Sequence, residues 1–513
     1  ININEASLYS TSPCLADTDG DGVIDPDEKN VLGTDPNNKN DIYGTDLVLS
    51  GKTIRIEGRA FFNSLTLTGN STITALGAST TQTSLIDIEV AGELKIDATS
   101  KIDVTGKGYL GGWQGGNNTY IGRTFSATTN GGVSGSDWST GGGYGGLGGS
   151  SPWSGGMNAV YGDLTNPAEL GSGAGGYRYD GNQKGGNGGG LVRIGATTLT
   201  LDGKIIADGA GTGAPNYWSS GGGSGGGIRI EVGALTGTGT ISAKGGDGYY
   251  YGSGGGGRIT IYYDILSLPA ANVIASGGKS TYHTTYYGNQ YPQYNGGAGT
   301  VYLKNKTVQY GDLIINNNGI STYSTTTISG GTYANLTVKG GAIIAMNGAL
   351  VDGAGLTLDG STLTFTGNLT LPPDLTTINN SRLTVSGNLI VPGDLTLNGT
   401  QLTVSGTLTT PGNLTLNSSQ IIVSSAMTIP GSLTLTKSGL TVTDSLTVAN
   451  AITLNDNSVL SHTGTTTTTQ SRLDIQATTI TIDATSKIDI TGKGYLGGWQ
   501  GGNNTYIGRT FSA

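Results

Sequence analysis

The sequence predicts an all-β protein built as a parallel β-solenoid, and three observations lead there. Between residues 367 and 448, Pro373, Pro392, Pro411 and Pro430 fall at steps of 19. Within each of these units apolar residues alternate with Thr, as in Leu395-Thr396-Leu397 and Leu402-Thr403-Val404; a period of two is that of a strand with one apolar and one polar face. Residues 96–127 and 482–513 are the same 32-residue segment, differing only at Val104 and Ile490 and lying 386 residues apart. A unit of 19 to 20 residues cannot bury its own Leu face, so stacking on like neighbours has to supply the core. The crossovers are expected to be right-handed. Pro-Gly and Asn-Gly pairs mark the corners, and outward Thr, Ser and Asn are expected to form ladders of like residues.

Residues 1–46 read as a separate small module. They carry ten acidic groups against Lys29 and Lys39, whereas the rest of the chain holds 25 acidic and 24 basic residues. Residues 17–28, DTDGDGVIDPDE, fit the calcium loop D-x-D-x-D-G-x-x-D-x-x-E. In that pattern Asp17, Asp19 and Asp21 supply side-chain oxygens and Gly22 makes the sharp turn. Val23 offers its backbone carbonyl, Asp25 acts directly or through water, and Glu28 binds through both oxygens. A hard cation needs six to eight oxygens, and this spacing wraps them round one point. Pro13 interrupts the approach, and Gly33 with Pro36 limits any following helix to about two turns.

The continuation VLGTDPNNKND, Val31 to Asp41, resembles the bacterial form of the thrombospondin type 3 repeat. The resemblance covers residues 16–41. It implies Asp35 as an extra ligand, Asp41 as the start of an incomplete second loop, and a secreted, calcium-stiffened spacer.

Residues 47–105 are expected to begin the solenoid. From 106 to 300, Gly clusters such as Gly141-Gly142-Gly143, Gly188-Gly189-Gly190 and Gly254-Gly255-Gly256-Gly257 precede short apolar runs, including Leu191-Val192-Arg193-Ile194. These read as strands that continue the solenoid, interrupted by long Gly-rich excursions on one side; Gly-rich extended helices packed side by side are the alternative. No helical periodicity follows the clusters, so a phosphate-cradling loop is not expected. Four of five Trp and seventeen of 25 Tyr lie in this region. Trp218, Tyr249, Tyr250, Tyr251, Tyr282, Tyr286 and Tyr287 are candidates for a binding platform, weighed against rings that merely cover the core. Residues 301–481 carry the regular Thr-rich solenoid, and 482–513 begin a second copy of the 386-residue unit. Val104 and Ile490 are expected at equivalent inward positions, since a core absorbs one methylene.

The short period resembles the β-helices of bacterial filamentous haemagglutinins and autotransported adhesins, which implies a secreted fibrous surface protein. Together these readings give an extracellular structural fibre component that binds calcium and assembles with itself. An adhesin that binds glycans or cells through the aromatic loops is the alternative. There is no basic stripe for nucleic acid and no apolar run long enough to span a membrane. Cys14 alone gives no disulfide framework and is expected to fill an apolar niche. Catalysis is not expected. His283 and His462 are far apart and read as loop or surface residues. Asp97 and Asp103 recur as Asp483 and Asp489, which fits structure better than the carboxylates of a polysaccharide-degrading β-helix enzyme.

Overall fold

The computed structural model describes residues 15–125, 135–152, 155–212, 220–281, 291–347, 349–373, 375 and 377–510. Cys14, Trp218, Tyr282, His283, Tyr286 and Tyr287 lie outside them. Over these residues the regular structure is mostly β, with strands in mostly parallel sheets and helical turns of only a few residues. It divides into two compact units, Ile1–Thr327 with Gly340–Ile343, and Ile328–Lys339 with Ile344–Ala513.

The first unit is built on two ladders. Strands Thr45–Ser50, Gly58–Thr68, Leu85–Ile96, Leu191–Leu201, Gly227–Thr236, Arg258–Tyr263 and Thr300–Asn305 each pair parallel with the next. A second ladder runs through Thr53–Arg55, Thr72–Thr74, Lys101–Asp103, Lys204–Ile206, Thr240–Ser242 and Val273–Ile274. Its register stacks Ile54, Ile73, Ile102, Ile205, Ile241 and Val273 in one buried column. The first ladder contributes Leu67, Ile96 and Leu201 in register to the same core. Burying each such side chain contributes about 2–3 kcal/mol, and β-branched residues suit the pleated surface. The pairing of Thr300–Asn305 with Asp312–Asn316 is antiparallel.

The second unit holds parallel ladders whose partners lie mostly 19 or 20 residues apart. Leu395, Leu414, Leu433, Ile452 and Ile480 follow one another in register, as do Leu383, Leu402, Ile421, Leu440, Leu460 and Ile488. A third ladder passes through Leu389–Ile390, Leu408–Thr409, Met427–Ile429 and Ser445–Val448. Pro392, Pro411 and Pro430 sit exposed just beyond three of these short strands, where no ladder donor is needed. Outward residues form rows of like kind. Thr396, Thr415 and Thr434 align, and the Asn398 amide donates to Asn379 (2.8 Å) as Asn417 donates to Asn398 (2.9 Å).

Between the strands of the first unit, the Gly-rich stretches lie against one another as extended, buried segments without strand assignment. Backbone hydrogen bonds join them: Gly171 N–H to Gly189, Gly189 N–H to Ser224, Gly225 N–H to Gly255. A Cβ at Gly188 would lie 1.9 Å from the Gly171 carbonyl oxygen, so only glycine fits at that spacing. The Gly clusters thus lie side by side, and the apolar runs that follow them form the strands.

The expected equivalence of Val104 and Ile490 requires correction. Val104 is fully buried, whereas Ile490 is 56% exposed. Val104 is enclosed by later chain: its N–H donates to Ile206 (2.8 Å) and its carbonyl accepts from Gly190 (2.9 Å). No such layer follows Ile490 among the described residues.

Candidate metal centre

Residues 17–28 form a turn-rich loop that runs into the short helix Asp25–Asp27 and a wide turn over Glu28–Leu32. Gly33, with φ of 81°, ends it by donating to the Glu28 carbonyl, so the helix stops within two turns. The loop is drawn closed by its own carboxylates. Asp17 accepts from the N–H groups of Gly20 (2.8 Å) and Gly22 (2.9 Å), Asp19 from Asp21 (3.1 Å), and Asp21 from Val23 (2.8 Å). Gly22 takes φ of 101°, and a Cβ there would meet Ala60 at 2.6 Å. It is fixed both by the turn and by close approach to the Gly58–Thr68 strand.

Carboxylate oxygens of Asp17, Asp19 and Asp21 lie within 4.8 Å of one another. One oxygen each of Asp19, Asp21 and Glu28 is buried and has no hydrogen-bond partner among the described residues. Burial, reinforced by the neighbouring negative charges of Asp21, Asp19, Asp25 and Asp17, pushes the Glu28 carboxyl up to about 9. Burial, with Asp19 and Asp17 nearby, pushes Asp21 up to about 7. Orphaned buried carboxylate oxygens are costly, and a positive ion among them removes that cost. An all-oxygen donor set suits a hard cation, with Asp17, Asp19, Asp21 and Glu28 the residues to hold it.

The other expected ligands sit differently. Asp25 is buried, but both its oxygens are engaged by Thr18, whose N–H and hydroxyl each donate at 2.7 Å. Its carboxylate thus also closes the loop onto Thr18. Val23 is buried and bridges antiparallel to Ile56. Asp35 and Asp41 are exposed and close a turn of their own, where the Asp41 carboxylate accepts from Asp35 N–H (3.2 Å) and the Asn38 amide.

Contacts that sequence reasoning missed tie the loop to the sheet and to Lys39. Asp27 accepts from the Arg55 backbone N–H (2.6 Å) and from its guanidinium (3.0 and 2.5 Å). Ile24 N–H donates to the Arg55 carbonyl (3.3 Å) and Glu57 N–H to that of Gly22 (3.0 Å). Lys39 donates to the Gly20 carbonyl (2.7 Å). Thr53–Arg55 is the outermost strand of its sheet, so the loop covers backbone groups that an edge would leave open. Val23 and Ile42 share the apolar cluster of the first strands. Arg55 lies 28 residues from Asp27, and no local pattern pairs them.

The described aromatic candidates pack on one another. Tyr249 and Tyr250 meet edge-on at 5.1 Å, Tyr250 and Tyr251 at 5.9 Å, and Tyr251 and Tyr294 at 5.5 Å; all are half-buried. His462 is a correction to the expected loop or surface position: it is buried at the end of strand Val459–His462, with Nδ1 2.6 Å from the Thr463 carbonyl oxygen. Asp97 serves structure. Burial raises its carboxyl, but hydrogen bonds from Ser100, Thr99 and Gly69 outweigh this and hold it down at about 2. Asp483 accepts in the same way from Asp456 and Thr485. No helix among the described residues is long and apolar enough to cross a membrane. No protein-family model matches this chain, and no curated protein does.

Proposed function

We propose that this protein is a structural component of an extracellular fibre or giant surface protein, a right-handed parallel β-solenoid of tandem units whose N-terminal loop binds calcium. The observation that carries this reading is the register. Strands 19 residues apart pair like residue with like, Leu on Leu inside and Asn on Asn outside, an arrangement that grows by repetition. The near-identity of residues 96–127 and 482–513 extends the repetition to a 386-residue unit. Calcium is favoured over other cations by the twelve-residue spacing and the oxygen-only donors. Its role is to hold the loop against the first sheet edge. The tyrosines that pack on one another support a covering role, and no catalytic role is assigned to any residue.

Electron microscopy of the native assembly tests this. With about 4.8 Å between stacked strands and residues consumed in excursions, the unit should repeat axially every 60–80 Å or so. A compact particle without an axial repeat would overturn the reading.

A further inference from the structure

We infer that the surface formed by Thr479–Ile482, Lys487–Ile488 and the turn that follows is a docking face for residues 171–210 of a further copy of this unit. The inference rests on the tandem reading above, and the chain itself supplies the template for it.

The two copies of the 32-residue segment adopt the same local structure. Trp113 and Trp499 take φ of 62° and 59°. Each donates its backbone N–H at 2.8 Å, to Thr119 and Thr505 respectively. The Asn117 amide bridges the carbonyls of Gly111 and Ile121 (2.9 and 2.8 Å), and Asn503 bridges those of Gly497 and Ile507 (3.0 and 2.8 Å). Lys101 pairs with Asp103 at 2.7 Å and Lys487 with Asp489 at 2.6 Å. The turn thus reaches its form whether or not anything lies upon it.

In the first copy, later chain covers this surface. Ile96 pairs with Leu201 and Ile102 with Ile205. Gly108 N–H donates to Gly188 (2.7 Å), Gly111 N–H to the Asn187 side chain (2.9 Å), and the Trp113 indole to Tyr177 (2.9 Å). In the second copy the same positions face outward. Ile102, Val104 and Tyr109 are at most 5% exposed, whereas Ile488, Ile490 and Tyr495 are 39%, 56% and 42% exposed.

The glycines identify the occupant. A Cβ at Gly108 would lie 2.2 Å from the Gly189 carbonyl oxygen, and one at Gly111 2.0 Å from that of Gly185. At Gly494 nothing lies within 4 Å, and at Gly497 the nearest atom is a Gln500 side-chain oxygen at 3.3 Å. Glycine at 494 answers to no contact in its own surroundings. It fits the close backbone approach of the segment that covers the first copy. The end strands also leave one edge of each ladder open to a parallel partner.

The test lengthens the full chain after Ala513 by a repeat of its own residues 128–263 and measures amide hydrogen exchange at residues 479–490. Docking should slow exchange there on the order of 100-fold, toward the rates at Leu94, Ile96 and Ile102. Gly494→Val should leave the 513-residue chain unchanged, since the space beside it is open, and should abolish the protection in the lengthened chain. Exchange as fast in the lengthened chain as in the original overturns the inference, whether the added residues fold apart or stay unfolded. So does protection that survives Gly494→Val. Images of the native assembly report on the fibre separately: a compact particle with protection present would sink the fibre and keep the docking face, and filaments without protection the reverse.

Discussion

Asp27 and Arg55 form the joint between the acidic loop and the first sheet, one carboxylate taking both the guanidinium and the backbone N–H of the same arginine. The Asp27 side chain is 6% exposed and that of Arg55 40%, so removing the arginine strands a buried charge, while removing the aspartate leaves a cation that can turn to water.

Arg55→Ala is therefore expected to destabilise the N-terminal region by about 2 kcal/mol, and more than Asp27→Asn does. Protease cleavage rates within residues 15–46 measure this, and equal rates in both variants would count against the joint.

Metal-free protein should lose stability at this end as pH rises. Asp21 and Glu28 have folded-state values raised to about 7 and about 9, above the ordinary values of 3.8 and 4.5. Their protonated forms stabilise the fold below about pH 4, and that contribution is lost progressively as pH climbs through the folded values. Calcium replaces the protons as counter-charge, so its stabilising effect should be larger at pH 8 than at pH 5. Melting followed at both pH values with chelator and with calcium checks this; a chelated protein that gains stability toward pH 8 would contradict it.

Gly188→Ala should prevent folding of the first unit or cost several kcal/mol, because its Cβ would lie within 2 Å of a carbonyl oxygen. Gly156→Ala, with nothing within 4 Å, should be close to neutral. Soluble yield and melting temperature of the two variants make the comparison, and similar behaviour would mean that the Gly-rich segments do not approach as closely as the backbone hydrogen bonds require.

In the second unit, Leu416→Ala should cost about 2–4 kcal/mol, since Leu416 is fully buried in a column with Leu397 and Leu435. Ile422→Ala, at a position 42% exposed one strand away, should change stability by less than about 0.5 kcal/mol. Urea unfolding midpoints separate the two, and comparable losses would place the register on the wrong face.

What was legible in the sequence was periodic or local. The alternation of Leu and Thr assigned the inward and outward faces of residues 395–398 and 401–404, because a strand's side chains alternate whatever lies beyond it. The spacing of Asp17, Asp19 and Asp21 keeps them near one another in the chain, and the turn at Gly22 with the loop's own hydrogen bonds brings their carboxylates within 4.8 Å.

What only the tertiary structure decided depended on which partner each group meets. Both oxygens of Asp25 go to Thr18, and Asp27 finds Arg55 across 28 residues; these are choices among several acidic groups that spacing treats alike. The Gly clusters show their purpose only when Gly188 is seen against Gly171, since a missing side chain says that something comes close and not what. Val104 and Ile490 make the same point with one sequence in two settings. Identical neighbours give them the same turn, and burial follows from what stacks upon each, Ile206 and Gly190 on the first and no described strand on the second. Conformation over a few residues is set by short-range sterics and hydrogen bonds. Burial is set by the rest of the chain.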